Sequence, residues 1–240
     1  LVEELDIKGI VGSGTDIEVL KQADISNCHA FISVTDNDEI NLISAHIAYT
    51  LGASYRIVRA RNLEYTRNEK FIAEHFKIDY VINQDLEAAA EILYVIDYPT
   101  ASYVEPLHDN KVHMMCFRIM PDSKIVGLSV QEVRSFIKDV VICTIENRNS
   151  EEVIIPRGQT VIEADTYINV IASDKDYQRI VHLAGHEDNV RFNSVFIQGA
   201  SRICEYLLPE LNKRKIRTKI VELNSDRALK LAASFPDAEV

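Results

Sequence analysis

The sequence predicts an α/β protein built on a doubly wound parallel sheet, with a small α+β lobe between two stretches of that sheet. Three observations predict this. In 1–98, and again from Asn193, short β-branched runs alternate with helical stripes, as parallel strands joined by crossover helices require. A central strand, Ala30 to Val34, is a continuous apolar run, as expected when both faces are covered. After Tyr98-Pro99-Thr100 the alternation gives way to clustered short strands.

Taken in order, Leu1-Val2-Glu3-Glu4-Leu5 reads as the end of an acidic helix whose beginning is absent, so the chain is expected to start in mid-domain. Ile7 to Val11 is the first expected strand. Gly12-Ser13-Gly14-Thr15-Asp16 then turns the chain into a helix from Ile17 to Ala23. The Ala30 strand runs into Thr35-Asp36-Asn37-Asp38-Glu39, which brings capping residues and carboxylates to the positive end of the next helix. Ile40, Ile43, Ile47 and Leu51 form that helix's stripe, and Gly52 is its stop. Tyr55 to Arg61 is a strand, Asn62 to His75 a helical segment and Tyr80 to Ile82 a strand. Asp85 caps a helix from Leu86 to Ile96.

The middle lobe reads as a strand at Val112–Ile119, a helix at Ser129–Ile137 and a strand at Val140–Glu146. Short strands follow near Val153–Ile155, Thr160–Ile162 and Thr166–Ala172, then a helix at Lys175–Ala184. From Ser194 to Gln198 a strand leads through Gly199-Ala200-Ser201-Arg202 into a helix reaching Lys213. A strand at Thr218–Leu223 and a helix at Ser225–Phe235 complete half of a Rossmann-like unit. Pro236 to Val240 then repeats the approach to a strand seen at Asp6-Ile7. The expected division is 1–98, 99–187 and 190–240, with the last stretch either starting a second lobe or completing the sheet of the first.

The formal charge of −11 argues against a nucleic-acid partner, which demands a basic face. No apolar run approaches the roughly 18 residues that cross a bilayer. Cys28, Cys116, Cys143 and Cys204 lie far apart, which suits reduced thiols. His182 and His186 have helical spacing but no third ligand in view. No nucleophile–base–orienter set and no phosphate-binding P-loop pattern is apparent.

Candidate binding residues gather at strand-to-helix junctions, where open α/β sheets take ligands. Gly12, Ser13, Gly14 and Thr15 read either as a contact to adenine or ribose or as a tight turn needing positive φ, with Thr15 or Asp16 as cap. Thr35 and Asp36 offer a hydroxyl and a carboxylate to a ligand or cap the helix. Arg59 and Arg61 share one strand face, for phosphate or for internal pairing. Gly199 keeps the first glycine of a dinucleotide fingerprint, while Ser201 and Cys204 stand where two later glycines belong. Glu222 ends the following strand at a spacing suited to a ribose diol.

Val34-Thr35-Asp36-Asn37-Asp38-Glu39-Ile40-Asn41 resembles the V-T-x-x-D-E-x-N signature of RCK domains, the regulators of potassium conductance. Gly12-Ser13-Gly14-Thr15-Asp16 stands where that family has G-D-G-T, Arg59-Ala60-Arg61-Asn62 is similar to its A-R-x-R-N strand, and Ile155-Pro156-Arg157-Gly158 to its P-x-G loop. The resemblance covers the whole chain and implies an incomplete Rossmann-like N-lobe, a small α+β C-lobe and the start of a second Rossmann-like lobe. It further implies a non-catalytic, NAD(H)- or adenine-nucleotide-sensing regulator. Such a regulator sits as a homo-oligomer (a dimer or tetramer) on the cytoplasmic face of an integral-membrane potassium transporter. An NAD-dependent oxidoreductase, or a scaffold with an eroded nucleotide site, are the alternatives, because this architecture alone does not decide function.

Overall fold

The computed structural model describes residues 7–108, 110–147, 150, 152–186 and 191–240, and the expected acidic helix at Leu1–Leu5 lies outside them. The chain divides into two compact units, one made of 1–90 with 196–240 and the other of 91–195.

In the first unit β1 (Ala30–Ser33), β2 (Tyr55–Arg59) and β3 (Tyr80–Ile82) form a parallel sheet in that order, with Ile32 opposite Ile57 and Val58 opposite Val81. Helix α1 (Ile17–Gln22) starts at Asp16, whose carboxylate accepts the Glu18 amide at 2.8 Å. Helix α2 (Asp38–Thr50) covers the sheet with Leu42 and Ala45 packed on Val58 and Ile78. Gly52 ends it at φ +101, a left-handed conformation that glycine adopts without strain. Arg56, on the middle strand β2, is buried. Its guanidinium reaches Asp79 at 2.8 Å and donates to the carbonyls of Ala53, Ser54 and Lys77.

Several expectations change here. Residues 7–11 form no strand, and Val11 is fully exposed, because no described strand lies alongside to take their backbone groups. The segment from Asn62 is two helices, α3 (Leu63–Arg67) and α4 (Glu69–Phe76). They break at Asn68, whose side-chain amide donates to the Glu64 carbonyl at 2.9 Å and competes with the helix. Helix α5 (Gln84–Asp97) is capped by Asn83 rather than Asp85. The Asn83 side-chain oxygen accepts from Asp85 N and Leu86 N, both at 3.1 Å.

In the second unit β4 (Tyr103–Leu107), β5 (Val112–Arg118), β6 (Val141–Asn147), β7 (Glu152–Ile154) and β8 (Tyr167–Ala172) form one antiparallel sheet, ordered β4-β5-β8-β6-β7. Strand β4 was not expected, because Pro106 masks it. Proline is tolerated there because β4 is an edge strand. The expected strand at Thr160–Ile162 reduces to a bridge between Ser129 and Val161, since its partner segment turns into helix α6 (Val130–Phe136). Ser129 and Glu132 close a capping box there. Helix α7 (Asp174–Leu183) lays Tyr177 and Ile180 on Phe117, Ile168 and Val170 in a continuous core.

The C-terminal stretch carries β9 (Ser194–Gln198), α8 (Arg202–Lys213), β10 (Arg217–Val221) and α9 (Ser225–Ser234). Beyond α9, Glu239 bridges Lys219 in parallel, the strand approach expected at Pro236 to Val240. Strands β9 and β10 form their own two-stranded sheet, separate from β1-β2-β3. The alternative in which this stretch completes the first sheet is therefore not what the chain adopts. What joins the two is α8, whose Tyr206 hydroxyl meets Arg61, Thr66 and Asn83.

Candidate functional site

The turn after β1 is built around one side chain. Asn41 is fully buried on α2, and its oxygen accepts from Thr35 N at 2.9 Å, Thr35 Oγ1 at 2.6 Å and Ser33 Oγ at 3.0 Å. Its amide donates to the carbonyls of Thr35 at 3.0 Å and Arg59 at 2.9 Å, tying β1 to β2. Thr35 is thereby committed to the scaffold, and Asn37 supplies the helix cap to Ile40 N at 2.8 Å. The Arg59 guanidinium donates to the Thr35 carbonyl, and Arg61 Nη2 to the Asp36 carbonyl at 2.7 Å. Both arginines thus reach the same turn. Asp38, buried, accepts the backbone amides of Arg61 and Asn62 at 2.8 Å each, with its second oxygen 3.8 Å from Arg61 Nε. Asp38 holds Arg61 in place, a role that its position in a helix-start acidic run does not announce.

The turn expected at 12–15 is present, closed by Asp16 N on the Ser13 carbonyl at 3.1 Å, but Gly12 and Gly14 are not in the left-handed region, which corrects the positive φ expected there; Gly52, Gly127, Gly185 and Gly199 are in it. At Gly12 the requirement is space, since an added Cβ would stand 2.5 Å from a Val19 methyl. Ser13 and Thr15 bond each other through their hydroxyls at 2.8 Å.

At the second junction Gly199 has φ +98, with nothing within 4 Å of an added Cβ. The Glu222 carboxylate bridges this turn, accepting Ala200 N at 2.6 Å and Asn224 N at 2.8 Å. Those backbone bonds hold its pKa below the ordinary glutamate value. Each carboxylate oxygen therefore accepts one backbone amide and keeps a further lone pair, and the Ala200 amide of this turn already has its acceptor. Ser201 begins α8 without a side-chain cap bond.

Beside that turn lies a cavity of about 780 Å³, within the range of ligand sites. Arg61, Arg67, Arg202, Arg227 and Lys230 line it against Asp85 and Glu205, with Ser201, Leu231 and Phe235 among the remaining walls. Five cations facing two carboxylates make a local positive basin in a chain of net charge −11. Among the described residues, Arg67, Arg202, Arg227 and Lys230 make no ion pair. Of the residues read from sequence, Arg61 and Ser201 meet here. Gly12 to Thr15, Thr35, Asp36, Arg59, Gly199 and Glu222 do not line it. Arg67, Arg202, Arg227 and Lys230 escaped sequence reasoning, although Arg227 and Lys230 have the i, i+3 spacing that places both on one face of α9.

Two family models match this chain, the TrkA-N domain over residues 1–84 and the TrkA-C domain over residues 114–185. The chain carries a TrkA-N domain followed by a TrkA-C domain. It is 30% identical over 240 residues to the Trk system potassium uptake protein TrkA homolog of Archaeoglobus fulgidus, a match spanning 100% of this chain and 53% of that protein. Against the TrkA of Haemophilus influenzae the identity is 26%, over 98% of this chain and 52% of the relative. The chain thus spans about half the length of the known relatives it matches. Among solved structures the GsuK channel superposes with a TM-score of 0.60 at 14% identity, covering 99% of this chain and 44% of that one. The GsuK RCK domain gives 0.60 at 15%, covering 93% and 47%. The TrkA-N and TrkA-C matches and these likenesses bear out the fold class expected from sequence, a Rossmann-like RCK N-lobe with an α+β C-lobe.

Proposed function

We propose that this chain is part of a regulatory, nucleotide-sensing subunit that gates a potassium uptake transporter without catalytic turnover. The observation that carries the sensing part is the cation-lined cavity at the start of α8. Arginine forks and a lysine match phosphate oxygens, and apolar walls at Leu63, Leu231 and Phe235 suit a base. The ligand is NAD(H) or an adenine nucleotide, with its phosphates on Arg61, Arg67, Arg202, Arg227 and Lys230 and near Ser201. One solved protein of this fold, the GsuK channel, is described bound to NAD. In this reading Glu222 shapes the Gly199 turn, and Thr35, Asp36, Arg59 and the Gly12–Thr15 segment frame the crevice.

The potassium role is supported by the names of the relatives, Trk system potassium uptake proteins. The partner is an integral-membrane transporter of Trk type, and this chain lies at its cytoplasmic face as a homo-oligomer. The lobes are assigned as 1–98, 99–187 and 190–240, the last beginning a second Rossmann-like lobe. A ligand that binds two arrangements of the assembly unequally shifts their populations, and a coupling of about 1–3 kcal/mol changes the gated equilibrium roughly 5- to 150-fold.

Calorimetric titration of the purified protein with NADH and with ATP tests the site. Binding should weaken with salt, and the double variant Arg202→Ala, Arg227→Ala should lose at least about tenfold, each charged hydrogen bond being worth about 1.5–3 kcal/mol. Neither ligand binding, or a double variant that binds like the wild type, would sink the proposal.

A further inference from the structure

We infer that Tyr206 is a positioning residue for the cation-lined cavity, one that sets Arg61 for an anionic ligand; this rests on the phosphate reading of that cavity. The Tyr206 phenol is buried on α8 and makes no contact with the cavity itself. It has one proton, and the Arg61 carbonyl 2.9 Å away takes it. The Asn83 amide donates to the phenol oxygen at 2.7 Å, while the Thr66 hydroxyl, 3.1 Å away, also has the Asn62 carbonyl as an acceptor at 3.2 Å. The phenol therefore both gives and receives a hydrogen bond, in a buried place where an unpaired group is costly.

The consequence falls on Arg61. Its amide is held by Asp38 from the β1 side and its carbonyl by Tyr206 from the α8 side, so the peptide on either side of its Cα is clamped by a different segment. Arg61 is contributed by the N-terminal stretch, whereas Arg202, Arg227 and Lys230 come from the C-terminal one. A phosphate group contacting both sets needs them at one fixed separation, and among the described residues the Tyr206 phenol is where hydrogen bonds cross between the two stretches. It joins α8, which begins with Arg202, to the backbone of Arg61 itself. Asn83 links the same point to helix α5, because its oxygen caps that helix while its amide holds the phenol.

The test is a double-mutant cycle on the intact protein, titrated with ATP and with inorganic tripolyphosphate. Tyr206→Phe keeps the ring and removes only the hydroxyl. It should weaken both probes 3- to 10-fold in the wild-type and Arg227→Ala backgrounds, and by less than twofold once Arg61→Met has removed the group being positioned. A loss that is equal in the Arg61→Met background marks a general packing role and overturns the inference, as does a Tyr206→Phe protein that binds both probes unchanged. If Tyr206→Phe fails to fold, Asn83→Ala carries the same cycle, since it removes the donor that orients the phenol. A wild type that binds neither probe overturns the phosphate reading and this inference together; wild-type binding with a neutral Tyr206→Phe overturns this inference alone.

Discussion

The two units of this chain are held together by different physics. The 91–195 unit buries Tyr98, Met115, Phe117, Ile168, Val170, Tyr177 and Ile180 in one continuous cluster beneath a five-stranded sheet. The other unit has smaller apolar clusters and relies on buried polar pegs: Asn41, Asp38 and Arg56 in the N-terminal stretch, and Tyr206 with Asn83 where the C-terminal stretch joins it. Hydrophobic burial is tolerant of small displacements, whereas a hydrogen-bonded peg is satisfied in one arrangement only. The contrast teaches where a ligand can act. The unit whose geometry is specified by polar pegs is also the one that carries the cation-lined cavity, so ligand contacts there compete with interactions of similar size.

The comparison breaks most visibly in the apolar core. Phe117→Ala leaves a void beneath β5 and β8 and should cost about 3–5 kcal/mol, read as early urea unfolding and lost amide protection throughout the 91–195 sheet. Protection that stays unchanged in that sheet would mean that the core is not one cooperative body. Next in size is Asn41→Ala, which takes the side-chain donor from the Arg59 carbonyl, leaves the Thr35 carbonyl with the Arg59 guanidinium alone and removes the acceptor for Thr35 N. A loss of about 2–3 kcal/mol is expected. It should appear as faster exchange confined to β1, β2 and the first turn of α2, with β5 and β8 untouched.

Tyr98 sharpens the contrast from the other side, as a polar group inside the apolar unit. Burial, and then the hydrogen bond from its phenol to Asp174 at 2.7 Å, push its pKa well above that of a free tyrosine. His113, almost fully buried, stands 3.1 Å from the same carboxylate. The folded-state pKa is raised, so this stabilisation is complete below the unfolded tyrosine value near about 10 and is lost as pH rises above it. The 91–195 unit should therefore weaken on an alkaline limb starting near about pH 10. Tyr98→Phe should cost about 1 kcal/mol at neutral pH and flatten that limb. An alkaline limb as steep in Tyr98→Phe as in the wild type would assign it elsewhere.

Much of this was legible before any coordinates. The β1–α2 junction followed from an apolar run, a capping cluster and a stripe ending at Gly52, because each of those signals is local. The expected strand at 7–11 failed for a nonlocal reason: a strand exists only beside another, and composition cannot say whether a neighbour is present. Strand β4 was hidden by Pro106, which edge position excuses. The site divided in the same way. Arg61 and Ser201 were readable from motif position, but Arg67, Arg202, Arg227 and Lys230 converge only through the packing of α8 and α9 beside α3. Tyr206 had no sequence signal at all, since an isolated tyrosine on a helix reads as ordinary core.

The smallest expected effect isolates a single polar strap. Glu222 joins Ala200 N and Asn224 N, and these bonds depress its pKa. A depressed folded-state pKa means that the strap's contribution is present above the unfolded glutamate value of about 4.3 and is lost as pH falls through the lower, folded value. Acid should therefore loosen the Gly199–Ala200 turn while the apolar 91–195 sheet keeps its protection. Glu222→Gln offers one carbonyl oxygen to two amides and points an NH2 at the other, so one amide loses its acceptor at every pH. The variant should give Ala200 and Asn224 amide NMR shifts that no longer titrate in acid, with one of them moved toward its solvent-exposed value already at neutral pH. Wild-type shifts of both amides that stay flat down to about pH 2.5, well below the free-glutamate range, would remove the strap. The Gly199 turn would then owe its shape to backbone preference alone.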